Sequence, residues 1–244
     1  MKKIALITGA NRGIGLEASR QLAQKGIKVI MASRNQNRGT QAYQQLLGEG
    51  LDVDLVKLDM NDPADFDKVY NHINENYGKL DILVNNAGII HQEENFGENN
   101  ADKISSTALK ETFEVNFFSI INLTQKLLPL IKKSEQGRIT NVSSILGSST
   151  VHSDDTSGWY GVKPFAYNAS KAALNSFTVH LAATLKDTNI KVNSAHPGWV
   201  KTDLGTDAAP MEVQQGAQTL VELSLDEATD FSGKFIHLGE EIPW

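Results

Sequence analysis

Tyr167 and Lys171 stand four residues apart in the run Tyr167-Asn168-Ala169-Ser170-Lys171. On a helix that spacing puts both side chains on one face. An ammonium beside a phenol favours the phenolate and lowers the tyrosine pKa from about 10, which brings a proton donor closer to working pH. Of the five tyrosines only Tyr167 has a lysine at i+4; Tyr160 has Lys163 at i+3 in a glycine-bounded loop and is the poorer candidate. Most tyrosine–lysine pairs are surface packing, so this one gains meaning only from its company. Ser143 and Ser144 close a β-rich run upstream. Adjacent strand residues face opposite ways, and spacing alone does not choose between them.

A second chemical feature is Thr8-Gly9-Ala10-Asn11-Arg12-Gly13-Ile14-Gly15, which follows an apolar run and opens a helical pattern. Glycines there allow a sharp turn and close backbone approach to a pyrophosphate, whose charge a helix N-terminus stabilises. The spacing is GxxxGxG rather than GxGxxG, and no Gly-Lys-Ser/Thr follows, which disfavours a nucleoside-triphosphatase loop. A plain structural turn is the competing reading; the place after the first apolar run favours a dinucleotide. The next apolar run ends at Ala32-Ser33-Arg34, with no Asp or Glu between Gly26 and Gln45. An acid there would bind the free ribose 2′-hydroxyl of NAD. Arg34 instead stands where a 2′-phosphate would lie, within reach of Arg12 and Arg38, and the predicted cofactor is NADPH/NADP+.

Short apolar runs alternate with longer helical patterns. Strands are expected at Ile4–Thr8, Lys28–Ala32, Val53–Leu58, Leu80–Asn85, Arg138–Val142, Ile190–Ala195 and Lys234–Leu238. Helices are expected at Arg12–Lys25, Gly39–Glu49, Pro63–Tyr77, Tyr167–Lys186 and Met211–Leu223. A long helix from Ser106 to Lys132 is also expected, its regular part ending at Pro129. Ile89–Ser105 and Gly147–Phe165 read as polar loops. The strands are continuously apolar, as a parallel sheet covered on both faces requires. The alternation predicts one α/β domain over residues 1–244, a doubly wound sheet of about seven mainly parallel strands with helices on both faces.

Composition narrows the partners. The 244 residues carry 29 acids against 23 bases, a net charge of −6, and no basic run reaches five residues, which disfavours nucleic acid. Cysteine is absent, so disulfides and thiolate chemistry are excluded, and a reducing compartment fits. No apolar run is long enough for a membrane span, and the short run after Met1-Lys2-Lys3 is broken at once by glycine and arginine, so no targeting segment is expected. The six histidines form no metal motif, and no metal is expected. Trp199 follows Pro197-Gly198 and either walls a substrate pocket or simply packs.

TGANRGIG, Asp59, NNAG at 85–88, Asn116, NVSS at 141–144, Tyr167 to Lys171 and PGWVKT at 197–202 occur in an order that resembles the short-chain dehydrogenase/reductase family over essentially the whole chain. NRGTQAYQQLLGEG at 37–50, PGWVKTDL at 197–204 and GKFIHLGEEIPW at 233–244 resemble its monomeric NADPH-dependent carbonyl reductases. The resemblance implies a Rossmann-like fold and NADPH-dependent reduction of ketone or aldehyde carbonyls. It implies Tyr167 as acid/base, and Lys171 as the residue that binds the nicotinamide ribose and depresses the tyrosine pKa. Ser144 becomes the carbonyl-binding hydroxyl and Asn116 the organiser of a water relay. For the cofactor it implies Gly9, Asn11, Arg12, Gly13, Ile14 and Gly15 at the pyrophosphate turn, and Arg34 and Arg38 at the 2′-phosphate. Asp59 and Met60 fall at the adenine, and Asn86, Ala87 and Gly88 along the cleft near its ribose. Pro197, Gly198, Trp199, Val200 and Thr202 fall near the nicotinamide, with Tyr167 and Lys171.

Two further readings stay open: a secondary-metabolite alcohol dehydrogenase on the same scaffold, and a non-catalytic NADP-binding regulator. The 145–166 segment is longer than the common family spacing and carries Trp159, Tyr160, Val162 and Phe165. As a surface cover it favours a cytoplasmic monomer; as a mobile substrate lid it leaves room for a homodimer.

Overall fold

β1 (Ile4–Thr8) is buried along its whole length, as a strand covered on both faces must be. The computed structural model describes residues 2–225 and 230–244. β2 (Lys28–Ser33) pairs with β1 and with β3 (Val53–Lys57), the half-buried edge strand. β4 (Ile82–Asn85), β5 (Arg138–Val142), β6 (Lys191–Ala195) and β7 (Phe235–His237) extend the sheet on the other side of β1, all parallel. β8 (Glu240–Glu241) turns back antiparallel on β7. Among the described residues these eight strands form one sheet in the order β3-β2-β1-β4-β5-β6-β7-β8. The winding reverses between β1 and β4. At such a switch point the loops leaving two neighbouring strands part and open a crevice at their carboxyl ends.

Helices fill both faces. α1 (Gly13–Gln24), α2 (Gln36–Gly48) and, later in the chain, the helix Val213–Ser224 cover one face, where Leu22, Leu46 and Leu220 meet Ile7, Val29 and Val84. α3 (Pro63–Asn76), α4 (Ser106–Phe113), α5 (Ser119–Ile131) and the helix Phe165–Thr184 cover the other, with Phe66, Leu123 and Leu174 against Leu6, Leu83 and Val192. α6 (Ser149–Ser153) is a single turn. Phe165–Thr184 is then α7 and Val213–Ser224 α8. Local signals set several starts. Asp62, followed by Pro63, caps α3 by accepting the Ala64 amide, and Asn35 caps α2 by accepting the Arg38 amide.

The expected sheet and its helices are present, with instructive departures. The long helix after Ser105 is continuous but contains a π-helical stretch, Glu114–Phe118, centred on Asn116. Such widened turns occur often at functional sites. Pro129 does not end the helix; Leu130 and Ile131, both fully buried, carry it two residues further because packing outweighs the lost hydrogen bond. The expected polar loop after Gly147 contains α6. The eighth strand escaped the sequence because two exposed glutamates carry no apolar signal.

Candidate active site

At the carboxyl end of β1 the glycine turn is shaped by backbone freedom and close contact. Gly9 and Gly13 hold φ of 67° and 53°, in the left-handed region that favours glycine. A Cβ on Gly15 would lie 2.5 Å from both the Gly9 carbonyl oxygen and the Asn86 amide nitrogen. Thr8 Oγ1 accepts the backbone amides of Asn86 and Ala87, each at 2.9 Å, and Asn86 Nδ2 donates to the Thr8 carbonyl at 2.8 Å. The Asn86 side chain thus braces the turn. Thr8 has a structural part that no sequence signal indicated. Arg12 precedes α1 as an N-cap without a side-chain cap, so no capping side chain takes up the first amides of the helix. This cradle of bare glycines below a helix start fits a pyrophosphate.

Arg34 and Arg38 are exposed beyond β2, and Arg12 pairs with Asp203. The Asp59 amide donates to Asp65 at 3.1 Å, and Asp59 Oδ1 accepts the Asn61 amide at 3.0 Å. Asp65 is fully buried, with Lys68 at 2.8 Å and Lys57 at 3.4 Å. Burial raises its pKa, but the amide and two ammoniums outweigh that and hold it below the usual carboxylate range. Met60 is buried, its carbonyl held by Ser119. Asn11 and Ile14 are half-buried in the glycine turn, and Ala87 likewise in the segment after β4.

The segment from Pro197 folds back toward the glycine turn. Gly198 has a φ of 90°, and a Cβ there would lie 2.2 Å from Met211 Sδ. Val200 is buried and bridges to Met211, while Trp199 donates its indole N–H to the Gly205 carbonyl at 2.6 Å and stays 44% exposed. Thr202 Cγ2 comes within 3.2 Å of where a Gly13 Cβ would be. One imidazole joins two of these loops. His196 Nδ1 accepts the Ile145 amide at 3.2 Å and the Gly198 amide at 3.4 Å. Burial, and then the neighbouring His237, push His196 down to about 3, so it stays a neutral acceptor. The sequence carried no sign of this role.

The four residues of the expected catalytic set come together between β4, β5 and α7. Asn116 is fully buried; its Nδ2 donates to the Ile89 carbonyl and its Oδ1 accepts the Ile89 amide, both at 2.8 Å. Lys171 Nζ donates to the Val142 carbonyl at 2.7 Å and lies 5.6 Å from the Tyr167 ring centre. A Cβ on Gly88 would stand 3.3 Å from Asn116 Oδ1 and 3.4 Å from Lys171 Nζ, so this glycine keeps the approach to both open. The serines separate as strand geometry demands. Ser143 Oγ turns to the Lys171 carbonyl at 3.4 Å, while Ser144 Oγ accepts the Leu146 amide at 3.2 Å and stands near enough to Tyr167 to oppose the rise of its pKa.

The electrostatics correct one expectation. Lys171 does not depress the Tyr167 pKa here. Burial pushes the phenol up to about 12, opposed only by the Ser144 hydroxyl, and pushes the Lys171 ammonium down to about 8. A dry pocket disfavours the charged form of each group. Among the described residues no cluster of three or more His, Asp or Glu is placed to hold a metal ion, and no helix is long and apolar enough to cross a membrane.

The lysine shift links to stability with a definite sign. Its pKa is 10.5 in the unfolded chain and about 8 in the folded one, so the unfolded chain binds the extra proton between those values and stability rises with pH across that window. From pH 8 to pH 10 the protein should gain on the order of 2 kcal/mol relative to a Lys171→Met variant. Urea unfolding at both pH values measures this; equal slopes in the two proteins would mean the ammonium is solvated.

Comparison with known proteins adds ancestry to this geometry. Carbonyl reductase (NADPH) 1 of Mus musculus is 31% identical, over 100% of this chain and 99% of its own. That alignment runs to 281 residues against 244 here, so the mouse protein carries residues this chain lacks. Short-chain dehydrogenase/reductase 1 of Saponaria officinalis is 33% identical, over 100% of this chain and 96% of its own. The crystal structure of NADPH-bound carbonyl reductase from chicken fatty liver superposes with a TM-score of 0.86 at 29% identity, covering 100% of this chain and 99% of that one. The sequence pattern of the short chain dehydrogenases matches residues 3–213, and the chain belongs to that family.

Proposed function

We propose that the protein reduces ketone or aldehyde carbonyls to alcohols, using NADPH. The observation that carries this is the gathering of Ser144, Tyr167, Lys171 and Asn116 in one dry pocket beside a glycine cradle at the switch point of the sheet. The mouse and chicken relatives, both named as NADPH enzymes acting on carbonyls, support it. The cofactor, when bound, supplies the hydride. Gly9, Gly13 and Gly15 would admit its pyrophosphate, Arg34 with Arg12 and Arg38 its 2′-phosphate, and Asp59 its adenine. Thr202 and Lys171 would hold the nicotinamide end.

The chain's own residues then handle the carbonyl oxygen. Tyr167, kept protonated by burial, gives it a proton, and Ser144 donates a hydrogen bond to the charge that develops there. Lys171 and Asn116, at the Gly88 opening, stand where water could resupply that proton. We further place the protein in the cytoplasm as a monomer. The 145–166 segment supports the monomer: Ser148 Oγ donates to the Pro243 carbonyl at 2.7 Å and Thr150 N to the Trp244 carbonyl at 3.0 Å. Ser149 and Trp244 line a groove with Ala172, Ser176 and Val179 of α7 and so would narrow a second helix's approach, although Tyr160 and Phe165, expected to cover this face, stay exposed.

Loss of NADPH absorbance with a panel of aldehydes and ketones tests the reaction. Tyr167→Phe should keep the fold and lose roughly a hundredfold or more in kcat; near-normal turnover would mean another donor operates. Arg34→Asp should weaken NADPH binding by roughly tenfold or more while sparing NADH, read by fluorescence titration. Equal affinity of the unaltered protein for both would defeat that assignment. Light scattering at low and high concentration should return a mass near 26.7 kDa; a stable doubled mass would make the segment a lid on a dimer.

A further inference from the structure

Tyr167 is buried, but it stands at the weakest part of its helix. It is the third residue of α7, in the turn whose amides have no carbonyl four residues back to bond. First turns fray unless something outside the helix accepts those amides. The residue before the helix is Pro164, whose side chain caps nothing. The acceptors come instead from the segment after β4. Glu94 Oε1 accepts the Ala166 amide at 2.7 Å, Glu94 Oε2 accepts the Tyr167 amide at 3.0 Å, and Asn100 Oδ1 accepts the Phe165 amide at 3.1 Å. Both acceptors are buried, Glu94 to 7% exposure and Asn100 to 6%.

We propose that Glu94 is a positioning residue for the Tyr167 proton donor: its carboxylate replaces the missing N-cap and fixes the first turn of α7 from a loop 73 residues away in sequence. A carboxylate suits the place, because two converging amides at the positive end of a twenty-residue helix stabilise negative charge. The loop that delivers it is itself tied to the site. Ile89 exchanges two hydrogen bonds with Asn116, and the Glu94 amide donates to the His91 carbonyl at 2.9 Å. His91 Nε2 lies 3.3 Å from Glu111 on α4. Two residues past Glu94, Phe96 sets its ring edge-on to Tyr167, centres 6.4 Å apart. One strap therefore joins the Asn116 turn to the helix start that carries the phenol. Losing its carboxylate would leave two buried amides without acceptors and free the turn to shift, and a displacement of an ångström at a reacting group can cost roughly a hundredfold in rate.

This inference rests on the proposed reaction, and its test separates the two. Glu94→Ala and Glu94→Gln are compared with the unaltered protein for kcat with NADPH and 4-nitrobenzaldehyde, for NADPH affinity by fluorescence, and for amide exchange along α7. Positioning predicts that Glu94→Ala loses roughly tenfold or more in kcat while NADPH affinity stays within about twofold, and that Glu94→Gln, which keeps one acceptor oxygen, recovers most of the loss. The Ala166 and Tyr167 amides should lose protection in Glu94→Ala with the rest of α7 unchanged. A kcat within about twofold of normal, or kcat and NADPH affinity falling together, overturns the positioning role. Should the unaltered protein reduce no carbonyl, the reaction fails and exchange alone judges the cap: unchanged protection at Ala166 and Tyr167 overturns it.

Discussion

A phenol and an ammonium buried one helical turn apart impose the constraint around which this site is arranged. Burial holds Tyr167 protonated and presses Lys171 toward neutrality. A buried ammonium is costly unless carbonyls or hydroxyls face it. Val142 supplies one carbonyl because it is the last residue of β5 and its oxygen projects beyond the ladder. The 3-10 turn Ile145–Gly147 must then press against α7, and only glycine permits it: a Cβ on Gly147 would stand 2.7 Å from the Lys171 backbone. The same turn leaves Ser144 facing Tyr167.

One row below, the sheet ties the site's helices to itself with polar groups instead of apolar ones. Asn85, Asn141 and Ser194 are register partners across β4, β5 and β6. Asn85 Nδ2 donates to Asn141 Oδ1 at 2.9 Å and to Thr124 Oγ1 of α5 at 3.0 Å. Asn141 Nδ2 donates to Thr178 of α7 at 2.9 Å, and Thr178 meets Ser194 at 2.8 Å. Apolar packing tolerates sliding; a buried chain of directional bonds does not. The helical segments carrying Asn116 and Tyr167 with Lys171, neighbours on one face of the sheet, are thereby set against the strand ends.

Much of this was legible residue by residue. Continuously apolar strands announced a sheet covered on both faces, and Asp62 with Pro63 announced the start of α3. Spacing put Tyr167 and Lys171 on one helix face, since helix geometry is local, but only the surrounding motifs and the family they resemble gave the pair a role. Spacing did not separate Ser144 from Ser143; the family resemblance chose Ser144, and the folded strand end turns Ser143 Oγ to the Lys171 carbonyl instead. The direction of the Tyr167 shift was missed for a related reason. A lysine four residues on is visible in sequence, but the amount of water excluded from both groups is a property of the packed whole.

The main strands and helices, the glycine turn, the basic residues beyond β2 and the tyrosine–lysine spacing are written in the chain, because each depends on dihedral preference, periodicity or short spacing; α6, β8 and the π-helical stretch are not. Tertiary structure alone decided which distant groups serve the site. Glu94 and Asn100 cap a helix from a loop more than sixty residues upstream, His196 joins two loops as a neutral acceptor, and Asn116 lies in a π-helical stretch inside a helix that reads as regular. Hydrogen bonds of this kind leave no period in a chain. They form between buried polar atoms whose proximity exists only once the sheet has brought its strand ends together.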